Sequence, residues 1–213
     1  REAPIAEAEY THLVVDLSEL DGLQTVAEEE LRPRLEAPDL ARIALVNNAA
    51  MIGALAWLRE TDPPRLGRLF AVNSVAPLYL MGFVAQVVLP ATRLRIVNIS
   101  SGAAHTPLPG LADYCATKAA LRLAGRTLAA ELARAGRTPR EAAVFSFEPG
   151  LVDTAMQDQA RATSPDAFPA HEAFRAFHAE GLLHAPDAVV GDILAFLTDD
   201  PRESFSEHRF SED

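Results

Sequence analysis

The residues with the clearest capacity for chemistry are Tyr114 and Lys118, which bracket the run Tyr114-Cys115-Ala116-Thr117-Lys118. Four positions apart in a helix, their side chains share one face. A phenol ordinarily ionises near pH ~10, so it is a poor acid–base group at neutrality unless a cation stabilises its phenolate, and Lys118 is placed to do that. Upstream stands Ser100-Ser101-Gly102, which supplies hydroxyl groups. Addition of hydride to a carbonyl builds negative charge on oxygen, which a phenol can protonate and a serine can hydrogen-bond. Carbonyl reduction is the chemistry this set suits, with Tyr114 as proton donor.

Each motif also has an ordinary structural reading. Tyr-x-x-x-Lys arises by chance in helices, Ser-Ser after a strand is commonly a turn or cap, and Asn-Asn is commonly a turn. What separates this chain from chance is order. Asn47-Asn48-Ala49-Ala50, Asn73, Ser101, Tyr114, Lys118 and Pro149-Gly150 follow one another, most of them at expected strand ends or helix starts.

The elements that must position these groups are readable from apolar patterning. Residues 12–15, 43–46, 95–99 and 142–147 are short apolar runs without clean polar alternation, the pattern of strands covered on both faces. Residues 17–35, 65–89 and 112–135 have helical spacing, the last two closed by Pro90 and Gly136. Strand and helix alternate, which predicts an α/β fold: a doubly wound parallel sheet with helices on both faces. Ligands in such sheets lie beyond the carboxyl ends of the strands, where the motifs fall.

The 213 residues, 49% hydrophobic and 23% charged, carry no repeat or long linker, so one domain over residues 1–213 is expected. A formal net charge of −11 disfavours nucleic acid and anionic membranes as partners and leaves a small molecule. The lone Cys115, and an opening Arg-Glu-Ala-Pro without an apolar leader or span, point to a cytoplasmic protein. His105, His171, His178, His184 and His208 share no ligand spacing, so no metal is expected and a metal-dependent hydrolase is the weaker reading.

With these motifs the chain resembles the short-chain dehydrogenase/reductase family, whose Asn-Asn-Ala-Gly, Asn, Ser, Tyr-x-x-x-Lys and Pro-Gly pattern runs through most of it. The resemblance implies a Rossmann-like sheet and a nicotinamide cofactor, with NADP(H) favoured over NAD(H). It assigns the catalytic serine to Ser101, 13 positions before Tyr114. It implies that Lys118 also bonds the nicotinamide ribose and that Asn73 supports a water relay to Lys118. It puts Asp16 and Leu17 beside the adenine, Asn48 and Ala49 on the ribose side, and Pro149, Gly150, Val152 and Thr154 near the nicotinamide. Asp16 is equally readable as the cap of the helix after it. Residues 149–164 look closest to sepiapterin reductases and bacterial benzil reductases. This implies a substrate lid extended by 165–181, where Phe168, Phe174 and Phe177 either meet an aromatic substrate or anchor helices. Helices 65–89 and 112–135 would form the interface of a homodimer or homotetramer.

Two departures bear on function. The glycine-rich turn that holds the cofactor pyrophosphate is not found; the 11 glycines are scattered, and residues 12–15 correspond to the family's third strand. The sequence is therefore expected to be incomplete at its front, and a chain lacking that unit should expose strand edges and apolar surface. Secondly, Phe210 stands where sepiapterin reductases carry a pterin-anchoring carboxylate, with Glu212 or Asp213 as substitutes. That leaves a pterin side-chain ketone or an aromatic ketone or diketone as substrate. The alternative function is a non-catalytic binding or scaffold protein that has lost the cofactor site.

Overall fold

The computed structural model describes residues 10–211. Four parallel strands, β1 (Arg42–Asn47), β2 (Arg93–Ile99), β3 (Ala142–Glu148) and β4 (Phe205–Arg209), form one sheet in the order β1-β2-β3-β4. The three apolar runs in the middle of the chain form strands as their composition dictates, and β3 is buried over its first six residues. The strand pleat sends successive side chains to opposite faces. Leu94, Ile96, Ala142 and Val144 enter one core, while Val97, Phe145 and Phe147 enter another.

Helices cover both cores. α1 (Leu20–Val26) continues through a π turn (Ala27–Leu31) into α2 (Arg32–Leu35), and α3 (Pro63–Phe70) through a second π turn (Ala71–Val75) into α4 (Ala76–Val87); the first core is covered by Ala27, Leu31 and Leu35 with α4 and α5 (Ala112–Arg134). Asp62 caps α3 by accepting the Arg65 amide N–H, with prolines at the first helical positions. The continuous helix Pro63–Val87 is long and apolar enough to cross a membrane, yet half of it is buried in the fold, with Met81, Phe83, Val84 and Val87 packed on the sheet. The second core takes Ile193, Phe196 and Leu197 of α8 (Gly191–Thr198). Between β3 and α8 stand α6 (Ala155–Ala162) and α7 (His171–Ala179).

Two expectations are corrected. Residues 12–15 are not a strand: they run as irregular chain, with Val14 83% exposed, because no neighbouring strand among the described residues offers the backbone ladder a parallel strand requires. The strand order accordingly has no reversal within the described residues. The fourth strand is instead β4, whose Phe-Ser-Glu-His-Arg has no apolar run; it forms through its ladder to β3, pairing Val144 with Phe205 and Glu148 with Arg209. The outer edge of β1 pairs with no described residue, and Ala44 and Val46 on one of its faces are exposed.

Candidate active site

The carboxyl ends of β1, β2 and β3 and the start of α5 bring the motif residues into one region. Because α5 begins after the β2 loop and runs back along the sheet, its first turns carry Tyr114 and Lys118 beside the end of β2. Lys118 is 3% exposed; its Nζ donates to the Ile99 carbonyl at 2.8 Å and lies 5.7 Å from the Tyr114 ring centroid. Burial pulls this ammonium down from 10.5 to about 8, so it remains mostly charged at neutral pH. Tyr114 is held above the usual phenol range by burial, offset in part by hydrogen bonding with Ser101. The Lys118 ammonium sits over the Tyr114 ring and is engaged by the Ile99 carbonyl. At neutrality the pair is therefore a phenol beside a cation, the state a proton donor needs.

Ser101 starts the short turn Gly102–Ala104, and its Oγ accepts the Ala103 N–H at 3.2 Å. Ser100 is buried 6% exposed, and its N–H donates to the Phe147 carbonyl. Of the two serines, Ser101 meets Tyr114 and Ser100 belongs to the sheet.

Asn73 is 1% exposed and sits inside the π turn of the α3–α4 helix. Such turns interrupt the regular helical hydrogen-bond ladder and are frequent at functional sites. Its Oδ1 accepts the Met51 N–H at 2.8 Å, while Nδ2 donates to the Met51 carbonyl at 2.8 Å and to Thr117 Oγ1 at 3.2 Å. Thr117 Oγ1 in turn donates to the Tyr114 carbonyl at 2.8 Å. Asn73 thus joins the loop after β1 to the helix of Tyr114 and Lys118.

Of the expected cofactor residues, Leu17, Asn48 and Ala49 line one small recess of about 90 Å³ with Asn47, Pro77 and Leu80. Asp16 is exposed, and its carboxylate accepts the Ser18 N–H and hydroxyl at 2.8 Å each, which lowers its pKa. It is a turn residue before α1, while Glu19 takes the cap position. Pro149 and Gly150 leave β3, Val152 pairs with His184, and the Thr154 carbonyl starts α6 by accepting the Gln157 N–H at 2.9 Å. These four stand at the base of α6 with no hydrogen bond to the Tyr114 cluster among the described residues.

Above Tyr114, Met156, Ala160, Phe168, Ala170 and Phe174 pack with Ile52, Leu55, Leu108 and Leu111. Phe168 is fully buried, with Phe174 edge-on at 5.2 Å, so it anchors the α6–α7 segment; Phe174 and Phe177 are half-buried. Gly110 at φ +86° allows the close packing: a Cβ there would lie 2.8 Å from the Ala167 carbonyl oxygen. Trp57 Nε1 adds a hydrogen bond to the Asp166 carbonyl at 2.7 Å. Phe210 packs edge-on against His184 in the second core, and Glu212 and Asp213 lie outside the described residues. Among the described residues no three His, Cys, Asp or Glu side chains converge as a metal site would require.

Sequence reasoning missed Asp113. Its Oδ2 accepts the Ala54 N–H at 3.2 Å and its Oδ1 the Tyr114 N–H at 2.7 Å. The available signal was an acidic residue in the first turn of a helix, which points to a local role and not to a partner 59 positions away.

Comparison with known proteins decides the family, for the short chain dehydrogenase family model matches residues 4–165. The chain belongs to the short-chain dehydrogenase family. It is thus a member of an oxidoreductase family, and its relatives agree with the subgroup read from residues 149–164. Benzil reductase ((S)-benzoin forming) of Bacillus subtilis is 32% identical over 199 residues, covering 91% of this chain and 78% of that protein. Sepiapterin reductase of Bos taurus is 36% identical over 138 residues, covering 63% of this chain and 48% of that protein. Among solved structures, a putative NAD(P) dependent gluconate 5-dehydrogenase from Beutenbergia cavernae, crystallised with NADP at low occupancy, is 28% identical. It superposes with a TM-score of 0.74 over 92% of this chain and 73% of its own. KRED1-Pglu, 24% identical with a TM-score of 0.71, shares the Rossmann-like fold.

Proposed function

We propose that the protein reduces the carbonyl of an aromatic ketone or diketone to an alcohol, using NADP(H) in preference to NAD(H). The observation that carries this reading is the half-buried phenol of Tyr114, set beside Ser101 and the Lys118 ammonium, beneath the apolar cover of α6 and α7. Leu17, Asn48 and Ala49 border one small recess, on the side where the adenosine of a dinucleotide would lie. Lys118 and the Pro149–Thr154 turn would hold the nicotinamide end, and the bound nicotinamide supplies the hydride. Ser101 hydrogen-bonds the carbonyl oxygen as charge develops, and Tyr114 gives up its proton to that oxygen. Lys118 stabilises the phenolate left behind, and Asn73 holds the loop at Met51 against this face.

An aromatic substrate is favoured over a pterin on two grounds. The benzil reductase relatives cover more of the chain than the sepiapterin reductases, and the aromatic ring of Phe210 replaces a carboxylate. Exposed Val75, Leu78 and Leu123 on the two long helices support a homodimer or homotetramer, and a cytoplasmic location belongs to the same reading. The test is consumption of NADPH, then NADH, by the complete protein with an aromatic 1,2-diketone and a pterin ketone offered separately. Turnover of the diketone with NADPH supports the proposal, pterin turnover transfers it to the second substrate, and failure to bind either nicotinamide favours the scaffold alternative.

A further inference from the structure

We propose that Asp113 is a positioning residue, which fixes residues 51–55 against the Tyr114 end of α5 and so sets where the carbonyl substrate sits. The inference rests on Tyr114 being the proton donor. Residues 51–55 follow the Asn47–Ala50 motif and pass under the α6–α7 cover, with Ile52 and Leu55 in the apolar cluster that also holds Leu111, Tyr114 and Phe168. They form a floor beneath the cover and pack directly against it.

Three side chains hold that floor, from three different elements. Asn73 bonds both backbone groups of Met51, Arg65 Nη2 donates to the Gly53 carbonyl at 2.7 Å, and Asp113 Oδ2 accepts the Ala54 N–H at 3.2 Å. Only the last comes from the helix of Tyr114, one residue before it, and the same carboxylate accepts the Tyr114 N–H through Oδ1. One side chain therefore references the floor directly to the acid.

The chain is fitted to this contact from the other side as well. Gly53 has φ +86°, a conformation that side chains disfavour, and a Cβ there would stand 2.5 Å from Asp113 Oδ2. A residue other than glycine would push the carboxylate off the Ala54 N–H. Asparagine at 113 keeps the shape but has a single acceptor oxygen for two N–H donors, so one bond must be lost and an amide –NH₂ must face an N–H.

A floor moved away from the substrate weakens its binding in the ground state and the transition state alike, so the loss falls on KM. For Asp113→Asn in the complete protein we expect kcat/KM for the aromatic diketone to fall about tenfold, chiefly through KM. The NADPH Kd should stay within about twofold of wild type, and the pH at which turnover declines should not move. Gly53→Ala should give the same split, and the double variant should lose little beyond either single change, since both act on one contact. A KM equal to wild type overturns the proposal, as does additivity in the double variant. A shifted pH profile also overturns it, because Asp113 would then act on the charge of Tyr114 or Lys118. If Asp113→Asn does not fold, Gly53→Ala carries the test. Absence of carbonyl turnover in the wild type would reject the reductase reading itself, a result separate from a normal Asp113→Asn enzyme.

Discussion

The end of β2 with the start of α5, and the α6–α7 cover above it, face each other across the candidate active site and are held by different means. Lys118, Asn73 and Thr117 are at most 3% exposed and tied by hydrogen bonds to the sheet, the β1 loop and one another. The cover rests on the apolar cluster around Phe168, the Trp57–Asp166 bond and tight packing at Gly110, with much of α7 facing solvent. The contrast assigns the chemistry to the rigid side and the choice and retention of substrate to the looser one. Substitutions below should remove turnover and spare the fold. Those above should alter substrate affinity and local stability.

The largest departure between the two should come from Lys118→Met. Loss of the ammonium that stabilises the phenolate should lower kcat by about 10²–10⁴-fold in steady-state assays. Thermal stability at neutral pH should change little, because a buried charge is removed along with its hydrogen bond to Ile99. On the opposite side, Phe168→Ala should cost about 3–5 kcal/mol of local packing. That should appear as faster proteolysis within α6 and α7 and a raised KM, with kcat less affected. Equal losses of kcat in both variants would erase the contrast.

Smaller effects sharpen the same division. Lys118 has a folded pKa of about 8 and an ordinary value of 10.5, so carbonyl reduction should decline as pH rises through about 8, while the Tyr114 phenol, shifted upward, stays protonated. The stability effect has the opposite sign. In the unfolded chain Lys118 holds its proton up to about 10.5, so the penalty for burying the charge is full below about 8 and is relieved between the two values. Wild type should therefore gain stability relative to Lys118→Met over that window, as denaturant titrations at several pH values would measure. Gly110→Ala should loosen the cover without touching the Tyr114 side: the side chain at positive φ costs about 1–3 kcal/mol, its Cβ would also meet the Ala167 carbonyl oxygen at 2.8 Å, and amide exchange in the cover should quicken.

The legible parts of the molecule are those whose signal is local. The apolar runs of β1, β2 and β3 and the spacing of Tyr114 and Lys118 on α5 are properties of a few consecutive residues, and the structure forms them within one or two residues of expectation. Residues 12–15 carry the same composition as a strand, yet a strand exists only where a neighbour completes its ladder, and sequence does not show the neighbour. β4 fails in the reverse sense: Ser206, Glu207 and His208 look like loop, and pairing with β3 makes them strand. The Asp113–Ala54 bond and the Asn73 grip on Met51 join residues far apart in sequence, so no motif of neighbouring residues announces them. Phe168 was open between substrate contact and anchor, and full burial makes it an anchor.

Tyr114 is the proposed proton donor to the carbonyl oxygen. Tyr114→Phe keeps the ring and its packing and removes only the hydroxyl, so single-turnover reduction of an aromatic diketone by the NADPH-loaded complete protein isolates that group. We expect the rate to fall by about 10²–10⁴-fold with NADPH affinity within about twofold of wild type. Reduction at the wild-type rate would show that another group delivers the proton and would contradict the account.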